Sequence, residues 1–98
     1  MELNKSIDNQ TMTVQVEGWL DTETAPQLHE LVEQMPEKIT RLILDCTNME
    51  YISSAGLRAL LFAHKTMLEK DGFIIQHVNE DVKSVLCMSG FYERLNIE

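Results

Sequence analysis

Two adjacent serines, Ser53 and Ser54, have the type and position best suited to chemistry in this 98-residue chain. They follow an apolar segment, 42–44, that ends in Asp45, and they precede a long segment in which apolar residues recur at helical spacing. This pattern predicts a strand, a turn and then a helix that begins at the serines. Free backbone N–H groups and the positive end of the helix dipole favour negative charge at such a position. A phosphate on a serine there would therefore be tolerated.

Three chemistries could use this position. Nucleophilic catalysis by Ser54 is disfavoured because Ile52 occupies the first glycine position of a G-x-S-x-G elbow, and no convincing base and acid follow. Phosphoryl transfer to Asp45 would require further acids for a metal ion, for which Asp8 is a weak candidate. Modification of Ser54 by a separate kinase requires only exposure and a tolerant backbone. We therefore predict that the chain is not an enzyme.

The first turns of this helix contain small residues that also require an explanation. Gly56 costs about 1 kcal/mol relative to alanine in a helix, so we expect something to require its missing side chain. Either the backbone of another protein approaches it, or the helix packs unusually close to a strand. The face away from the predicted core carries Ala55, Arg58, Ala59 and Phe62. This face could bind a partner, with Phe62 as an anchor, or it could rest on a neighbouring helix.

The residues before position 40 predict a hairpin and a helix. Alternation of apolar and polar residues in segments 2–7 and 11–18 indicates two antiparallel strands with one buried face. Thr24 and Pro26 predict a helix start with Thr24 as its cap, and the apolar spacing that follows predicts a buried stripe until Pro36 ends the helix.

The residues after position 40 predict two further strands, at 41–45 and 73–75, each followed by a helix. The helix that begins at the serines has a predicted core stripe of Leu57, Leu60, Leu61, Met67 and Leu68, with His64 at its centre. Asn79 is the predicted cap of the next helix. Residues 91–97 complete the core as a helical turn or a last strand.

This order of elements predicts an α/β fold in a single domain that spans residues 1–98, with a mixed sheet of four to five strands and three to four helices. Right-handed crossovers would make the central strands parallel, with the first strand antiparallel to its hairpin partner. The carboxyl ends of parallel strands lie at one edge of a sheet. We therefore expect a cluster of polar residues at that edge: Asp21, Thr22, Asp45, Ser53, Ser54, His77 and Asn79.

Composition limits the partners of the chain. Its 16 acidic and 8 basic residues give a net charge of −8, which argues against nucleic acid. Residues 6–37 contain no lysine or arginine, as in a solvated acidic face or a docking surface for a basic partner. No segment is long and apolar enough to span a membrane, and no signal peptide is visible, so we expect a cytoplasmic protein without membrane insertion.

The two cysteines, Cys46 and Cys87, lack the spacing of a redox or metal-binding motif. In a cytoplasmic protein such residues are most often small buried hydrophobic side chains rather than a disulfide. His64 would need further ligands at helical spacing to hold a metal ion, and the sequence offers none. We therefore predict neither a metal site nor a cofactor.

Four segments of the chain resemble the STAS family, which includes sulfate-transporter C-terminal domains and bacterial anti-sigma factor antagonists. They are Gly18-Trp19-Leu20-Asp21, Thr24-Ala25-Pro26, Leu42-Ile43-Leu44-Asp45 and the block from Ile52 to Leu61. The last block is the specific one, because it resembles the family's aspartate-serine-serine-or-threonine-glycine-leucine motif. Aligned on Gly56-Leu57, the motif assigns the family's phosphoacceptor serine to Ser54.

The resemblance implies a partner switch. In the family, the unmodified antagonist binds a serine kinase that is also an anti-sigma factor, and the sigma factor is released. The kinase then phosphorylates the antagonist with MgATP, and a metal-dependent serine phosphatase reverses the modification. The resemblance also allows an alternative, a STAS accessory subunit that docks on the ATPase of an ABC-type lipid transporter without being phosphorylated.

The chain departs from the family motif at two positions beside Ser54. Ser53 replaces the family's aspartate and is therefore a rival acceptor, and Ala55 follows the predicted phosphoserine. Asp21 matches the family's acid after the second strand and is a candidate for the nearest carboxylate, although it could equally begin the turn into the first helix. Together, the resemblance and the helix face predict a partner-binding surface of Asp21, Thr22, Ser53, Ala55, Gly56, Arg58, Ala59 and Phe62.

Overall fold

The computed structural model describes residues 2–98. Within this range, five strands and four helices follow the order predicted from the sequence. They are β1 (Glu2–Asp8), β2 (Thr11–Leu20), α1 (Ala25–Glu33), β3 (Arg41–Ile52), α2 (Ser54–Met67), β4 (Gly72–Gln76), α3 (Glu80–Met88), α4 (Phe91–Arg94) and β5 (Asn96–Ile97). The end of the chain forms both a helical turn and a short strand. None of the described helices is long and apolar enough to cross a membrane.

The strands form one mixed sheet in the order β1-β2-β3-β4-β5. β1 pairs with β2 in antiparallel orientation, and the remaining neighbours are parallel. The predicted α/β class, the hairpin and the parallel central strands are therefore confirmed.

The core lies between one face of the sheet and the helices. Side chains on that face of β2 and β3 alternate with polar side chains on the other face, where Gln15 and Arg41 are exposed. The largest fully buried side chains include Met12, Leu20, Leu28, Leu42, Leu44, Ile52, Leu60 and Leu86. Burial of each such side chain contributes about 1.5–3 kcal/mol, so this layer supplies most of the stabilisation.

The two central strands are longer than the sequence predicts. β2 extends to Leu20 rather than residue 18, and β3 extends to Ile52 rather than residue 45. The pairing of β2 with β3 has irregularities between Gln15 and Glu17 and between Gly18 and Trp19. These bulges interrupt the alternation of period two, so the second half of β3 does not read as a strand in the sequence.

Several predicted side-chain positions differ in the structure. Leu68 is 65% exposed, because α2 ends at Met67, and its assignment to the core is wrong. Leu61 is only partly buried, whereas His64 is partly buried as expected from its place at the centre of the stripe. Cys46 is buried as predicted, but Cys87 lies on the solvent side of α3 and is exposed, so its predicted burial is wrong. Burial raises the pKa of the Cys46 thiol to about 12, so this cysteine is not nucleophilic at neutral pH.

Candidate functional site

The site is built where β2 and β3 end together. Leu20 and Ile52 are paired neighbours at the last position of the two strands. The N–H of Ser53 donates to the carbonyl of Leu20 at 2.9 Å, which joins the start of α2 to the end of β2. Asp21 and the residues that follow it therefore lie beside the serines, as predicted.

Ser53 is the N-cap of α2. Its backbone is extended, with φ −98° and ψ 178°, as an N-cap requires. Its Oγ accepts the N–H of Gly56 at 3.4 Å, and its carbonyl accepts the N–H of Leu57 at 2.9 Å. Ser53 is also partly buried, and its hydroxyl oxygen stabilises the helix start through the hydrogen bond from Gly56.

Ser54 is the first residue of α2, and its side chain is exposed. The first turn of α2 contains no acidic residue, whereas the first turn of α3 contains Glu80 and Asp81. The first N–H groups of a helix have no acceptor within it, and the helix dipole is positive there. The hydroxyl of Ser54 is therefore accessible at a position that would stabilise an added negative charge.

Gly56 packs α2 against the ends of the strands. A Cβ at this position would lie 2.5 Å from the carbonyl oxygen of Leu20 and 2.7 Å from Cγ1 of Ile52. Of the two explanations for this glycine, close packing on a strand is the one that the structure supports. Gly56 is buried and lies outside the exposed surface that a partner could touch.

A groove runs between α1 and α2 next to Ser54, with a volume of about 320 Å³. Its lining consists of Thr22, Ala25, Pro26, His29, Ala55, Arg58 and Ala59. Ala25 and Ala59 are buried and form its apolar floor, so Ala59 is not an exposed contact residue. Thr22 and Arg58 are exposed at its rim.

Phe62 packs on α1. Its ring stacks on that of His29, with 3.9 Å between the ring centroids and an interplanar angle of 25°. Phe62 is only partly buried, but its contact is with the neighbouring helix. The structure therefore favours the alternative in which Phe62 rests on the neighbouring helix over the one in which it anchors a partner.

Asp21 organises the loop between β2 and α1. One carboxylate oxygen, Oδ1, accepts the N–H groups of Glu23 at 3.0 Å and Thr24 at 3.2 Å. Partial desolvation raises the pKa of Asp21, but the hydrogen bonds from Thr24 and Glu23 outweigh it, so the pKa is lowered. Asp21 therefore begins the turn into α1, which is one of the two roles that the sequence left open.

Thr24 does not cap α1 with its side chain, contrary to prediction. Its hydroxyl accepts the N–H of Asp21 at 2.8 Å and lies 2.8 Å from the carbonyl of Trp19. The carboxylate of Asp21 already bonds the N–H groups at the end of this loop. The threonine hydroxyl instead fastens the loop to the end of β2.

The polar residues that were predicted to cluster at one edge of the sheet lie at separate places in the structure. Asp45 lies in the middle of β3, and its Oδ1 accepts the hydroxyl of Thr47 at 2.6 Å and its N–H at 3.1 Å. The hydroxyl bond lowers the pKa of Asp45 more than partial desolvation raises it. His77 follows β4, which ends alongside Asp45. Asp45 and His77 are therefore separated from the serines by the second half of β3.

Asn79 also lies outside the serine site. Its Oδ1 accepts the N–H of Val82 at 2.7 Å, which confirms its predicted role as the cap of α3. Its Nδ2 donates to the carbonyl of Met49 at 2.9 Å, and this bond ties the cap to β3. Among residues 2–98, no group of three His, Cys, Asp or Glu side chains has an arrangement that could hold a metal ion.

Two aromatic residues near the ends of β2 and β3 were missed by the sequence analysis. Trp19 and Tyr51 are neighbours across β2 and β3, with 5.0 Å between their ring centroids and an interplanar angle of 49°. They are 53% and 37% exposed. Exposed aromatic rings on a rigid element are typical anchors of protein interfaces. The signal was available, since Trp19 is the one tryptophan of the chain, but both strands were predicted to end before these residues.

The sequence profile of the STAS domain family matches residues 2–98. The chain belongs to the STAS family. This STAS domain is 33% identical over 78 residues to BtrV of Bordetella bronchiseptica, whose name assigns it to the anti-sigma factor antagonists. The match covers 78% of the chain and 67% of BtrV. The predicted resemblance is therefore confirmed at the level of the family and of its antagonist relatives.

Two solved structures share the fold of this STAS domain. An anti-sigma factor antagonist from Mycobacterium paratuberculosis has a TM-score of 0.86 at 18% identity, covering 98% of this chain and 83% of that one. The Bacillus cell fate determinant SpoIIAA in its phosphorylated form has a TM-score of 0.76 at 15% identity, covering 99% and 91%. Identities this low establish the fold alone.

Proposed function

We propose that this STAS domain is a cytoplasmic anti-sigma factor antagonist controlled by phosphorylation of Ser54. The unmodified protein binds an anti-sigma factor that is also a serine kinase, and the sigma factor is released. The kinase transfers the γ-phosphoryl group of MgATP to Oγ of Ser54: the new O–P bond forms, the bond to the β-phosphate oxygen breaks, and ADP and the hydroxyl proton leave. A metal-dependent serine phosphatase restores the hydroxyl. The chain itself catalyses nothing and needs neither nucleic acid nor membrane insertion.

The exposed hydroxyl of Ser54 at the first turn of α2 carries this proposal. Ser53, the rival acceptor, is partly buried and engaged as the N-cap, which favours Ser54. The name of BtrV and the existence of a phosphorylated form of SpoIIAA support the same reading.

The position of Ser54 explains how a phosphate could act without refolding the domain. Phosphoserine adds about −1.5 to −2 charges at neutral pH. The first turn of α2 has no carboxylate, so this charge meets the helix dipole and free N–H groups. The phosphate therefore changes the interface rather than the fold, because it occupies space and repels acidic groups or nucleotide phosphates of the partner.

The proposed partner surface has two parts. On the helix side it comprises the loop residues Asp21 and Thr22 and the rim of the groove, with Ala55 and Arg58. On the strand side it includes the aromatic pair Trp19 and Tyr51. The pair supplies the large apolar contact area that the small residues of α2 lack.

Phosphorylation is tested with a purified anti-sigma factor kinase from the source organism, MgATP and intact mass spectrometry. We expect one phosphate adduct on the wild type and on Ser53→Ala, and none on Ser54→Ala. Because Ser54 is exposed, the alanine variant should fold normally, which circular dichroism can verify. The absence of an adduct on the wild type, or its persistence on Ser54→Ala, would contradict the proposal.

Binding can be followed without a label, because Trp19 is the sole tryptophan and lies in the proposed surface. Addition of a tryptophan-free kinase variant should change its emission, and Ser54→Asp should weaken the titration at least tenfold. Stable co-purification with a transporter ATPase, unaffected by Ser54→Ala, would instead support the docked accessory subunit.

A further inference from the structure

Arg58 lies one helical turn after Ser54. Residues four apart on a helix share a face, with about 5–6 Å between their Cβ atoms. Side chains of a helix lean toward its N-terminus, so the side chain of Arg58 can extend over the turn that contains Ser54. Both residues are exposed. The guanidinium can therefore reach an oxygen attached to Ser54 without any change in the backbone.

Arg58 also belongs to the groove between α1 and α2. Among the seven residues that line it, Arg58 carries the permanent positive charge, and α1 contributes no lysine or arginine. The floor is apolar, with Ala25 and Ala59 buried beneath it. An apolar groove with one cation at its rim complements a partner segment in which an acidic side chain neighbours an apolar one.

The guanidinium group binds carboxylates and phosphates alike through planar pairs of N–H donors. Once it pairs with one anion its positive charge is neutralised, and a second anion would also be repelled by the first. An anion at Ser54 and an anion in the groove would therefore compete for Arg58.

We propose that a phosphate on Ser54 pairs with Arg58 and withdraws it from a carboxylate of the anti-sigma factor that it binds in the unmodified state. This inference rests on the proposed function and assigns Arg58 a part in its regulation. Phosphorylation thereby removes an attractive contact in addition to adding repulsion. The partner segment on the groove is acidic and apolar, not basic, despite the acidic character of the chain as a whole.

The ion pair is tested on the isolated protein, with phosphoserine placed at position 54 by peptide ligation, so that no kinase is needed. Phosphorus NMR reports the second pKa of the phosphate, which is about 6 without a partner. We expect this pKa to be about half a unit lower in the wild type than in Arg58→Gln, as for an exposed ion pair. Arg58→Lys should fall between them, since lysine keeps the charge but lacks the fork.

Lys65→Gln is the matched control, because it removes the same charge from an exposed position of the same helix. The helix dipole and the nearby titratable groups Asp21, Glu23 and His29 are common to all these proteins. Equal phosphate pKa values in the wild type and Arg58→Gln, or an equal shift in Lys65→Gln, would overturn the ion pair.

The competition is tested by binding to the purified kinase. The dissociation constants of the phosphorylated and unmodified forms define a discrimination ratio, which should be about threefold smaller in Arg58→Gln than in the wild type. The unmodified Arg58→Gln protein should also bind more weakly than the unmodified wild type. An unchanged ratio would overturn the competition. Failure of the unmodified wild type to bind would instead refute the proposed function, and the NMR comparison would still decide the ion pair.

Discussion

Ser53 and Ser54 are adjacent, but Ser53 lies just before the start of α2 and Ser54 just after it, so their environments differ. Ser53 has the extended backbone of an N-cap, and its hydroxyl faces the helix. Ser54 has the helical backbone of the first residue, and its side chain faces solvent. Replacement of the family's aspartate by Ser53 therefore retains a capping oxygen but removes a negative charge from the helix start. A phosphate at Ser54 would restore negative charge there.

Gly56 is the residue whose replacement should show how tightly α2 approaches the strands. Alanine is usually favoured over glycine in a helix by about 1 kcal/mol. Here the added Cβ would lie 2.5 Å from the carbonyl of Leu20, which is itself bonded to the N–H of Ser53. Because this backbone group cannot yield easily, Gly56→Ala should lose about 1–3 kcal/mol in unfolding free energy, measured by urea denaturation.

The control for Gly56→Ala is Ser54→Ala in the same turn. Ser54 is exposed, so this variant should stay within about 0.5 kcal/mol of the wild type. A Gly56→Ala protein more stable than the wild type would show that the helix does not pack on Leu20 and Ile52 as described.

Asp45 should make stability depend on acid pH. Its pKa is lowered in the folded state, chiefly by the hydroxyl of Thr47. A lowered pKa contributes stability that is present above the unfolded value of about 3.9 and is lost as the pH falls through the folded value. The urea midpoint of the wild type should therefore fall more than that of Asp45→Asn between pH 6 and pH 2.

Thr47→Val provides an independent check on the Asp45 prediction. It removes the hydroxyl that accounts for the largest lowering of the pKa but leaves the carboxylate in place. Its acid-dependent loss of stability should lie between those of the wild type and Asp45→Asn. Identical pH profiles in all three proteins would contradict the assignment.

At the scale of elements, the sequence predicted the order and type of the main helices and strands because their apolar spacing is regular. The end of β3 was not predictable in the same way. Bulges in its pairing with β2 leave Met49 and Ile52 buried at a spacing of three rather than two. Thr47-Asn48, just before Met49, also resembles a turn. Only the partner strand reveals that the chain continues as a strand.

The packing of α1 on α2 should depend on Phe62. Its ring stacks on that of His29, with 3.9 Å between the ring centroids, and this stacking joins the two helices. Phe62→Ala should cost about 1–3 kcal/mol of unfolding free energy through lost packing and stacking. Once folded, the variant should bind the kinase within about twofold of the wild type, because the ring faces α1.

Leu68→Ala is the control for the Phe62 prediction. It also removes a large apolar side chain at the end of the same helix, but Leu68 is 65% exposed, so stability should change by less than about 0.5 kcal/mol. A Phe62→Ala protein with normal stability and tenfold weaker binding would restore Phe62 as an interface anchor.

At the scale of the whole molecule, the position of the serines could be predicted because it follows from local sequence: an apolar strand, an N-cap and a helix. The grouping of distant residues around them could not. The sheet brings Asp21 beside Ser53 because β2 and β3 end together, but β4 stops at the level of Asp45. The aromatic pair Trp19 and Tyr51 likewise depends on register, which the sequence does not encode locally.

The whole fold should remain unchanged when Ser54 carries a phosphate. The net charge would move from −8 to roughly −10, which increases repulsion across the molecule. The added charge lies at the positive end of α2, where such an interaction is worth about 0.3–1 kcal/mol. The unfolding free energies of the two forms should therefore agree within about 1 kcal/mol.

Amide chemical shifts should change at residues 20–22 and 53–58 alone. Widespread changes in β4 or α3 would show instead that the phosphate acts by rearranging the domain, and a switch confined to the surface would then be excluded.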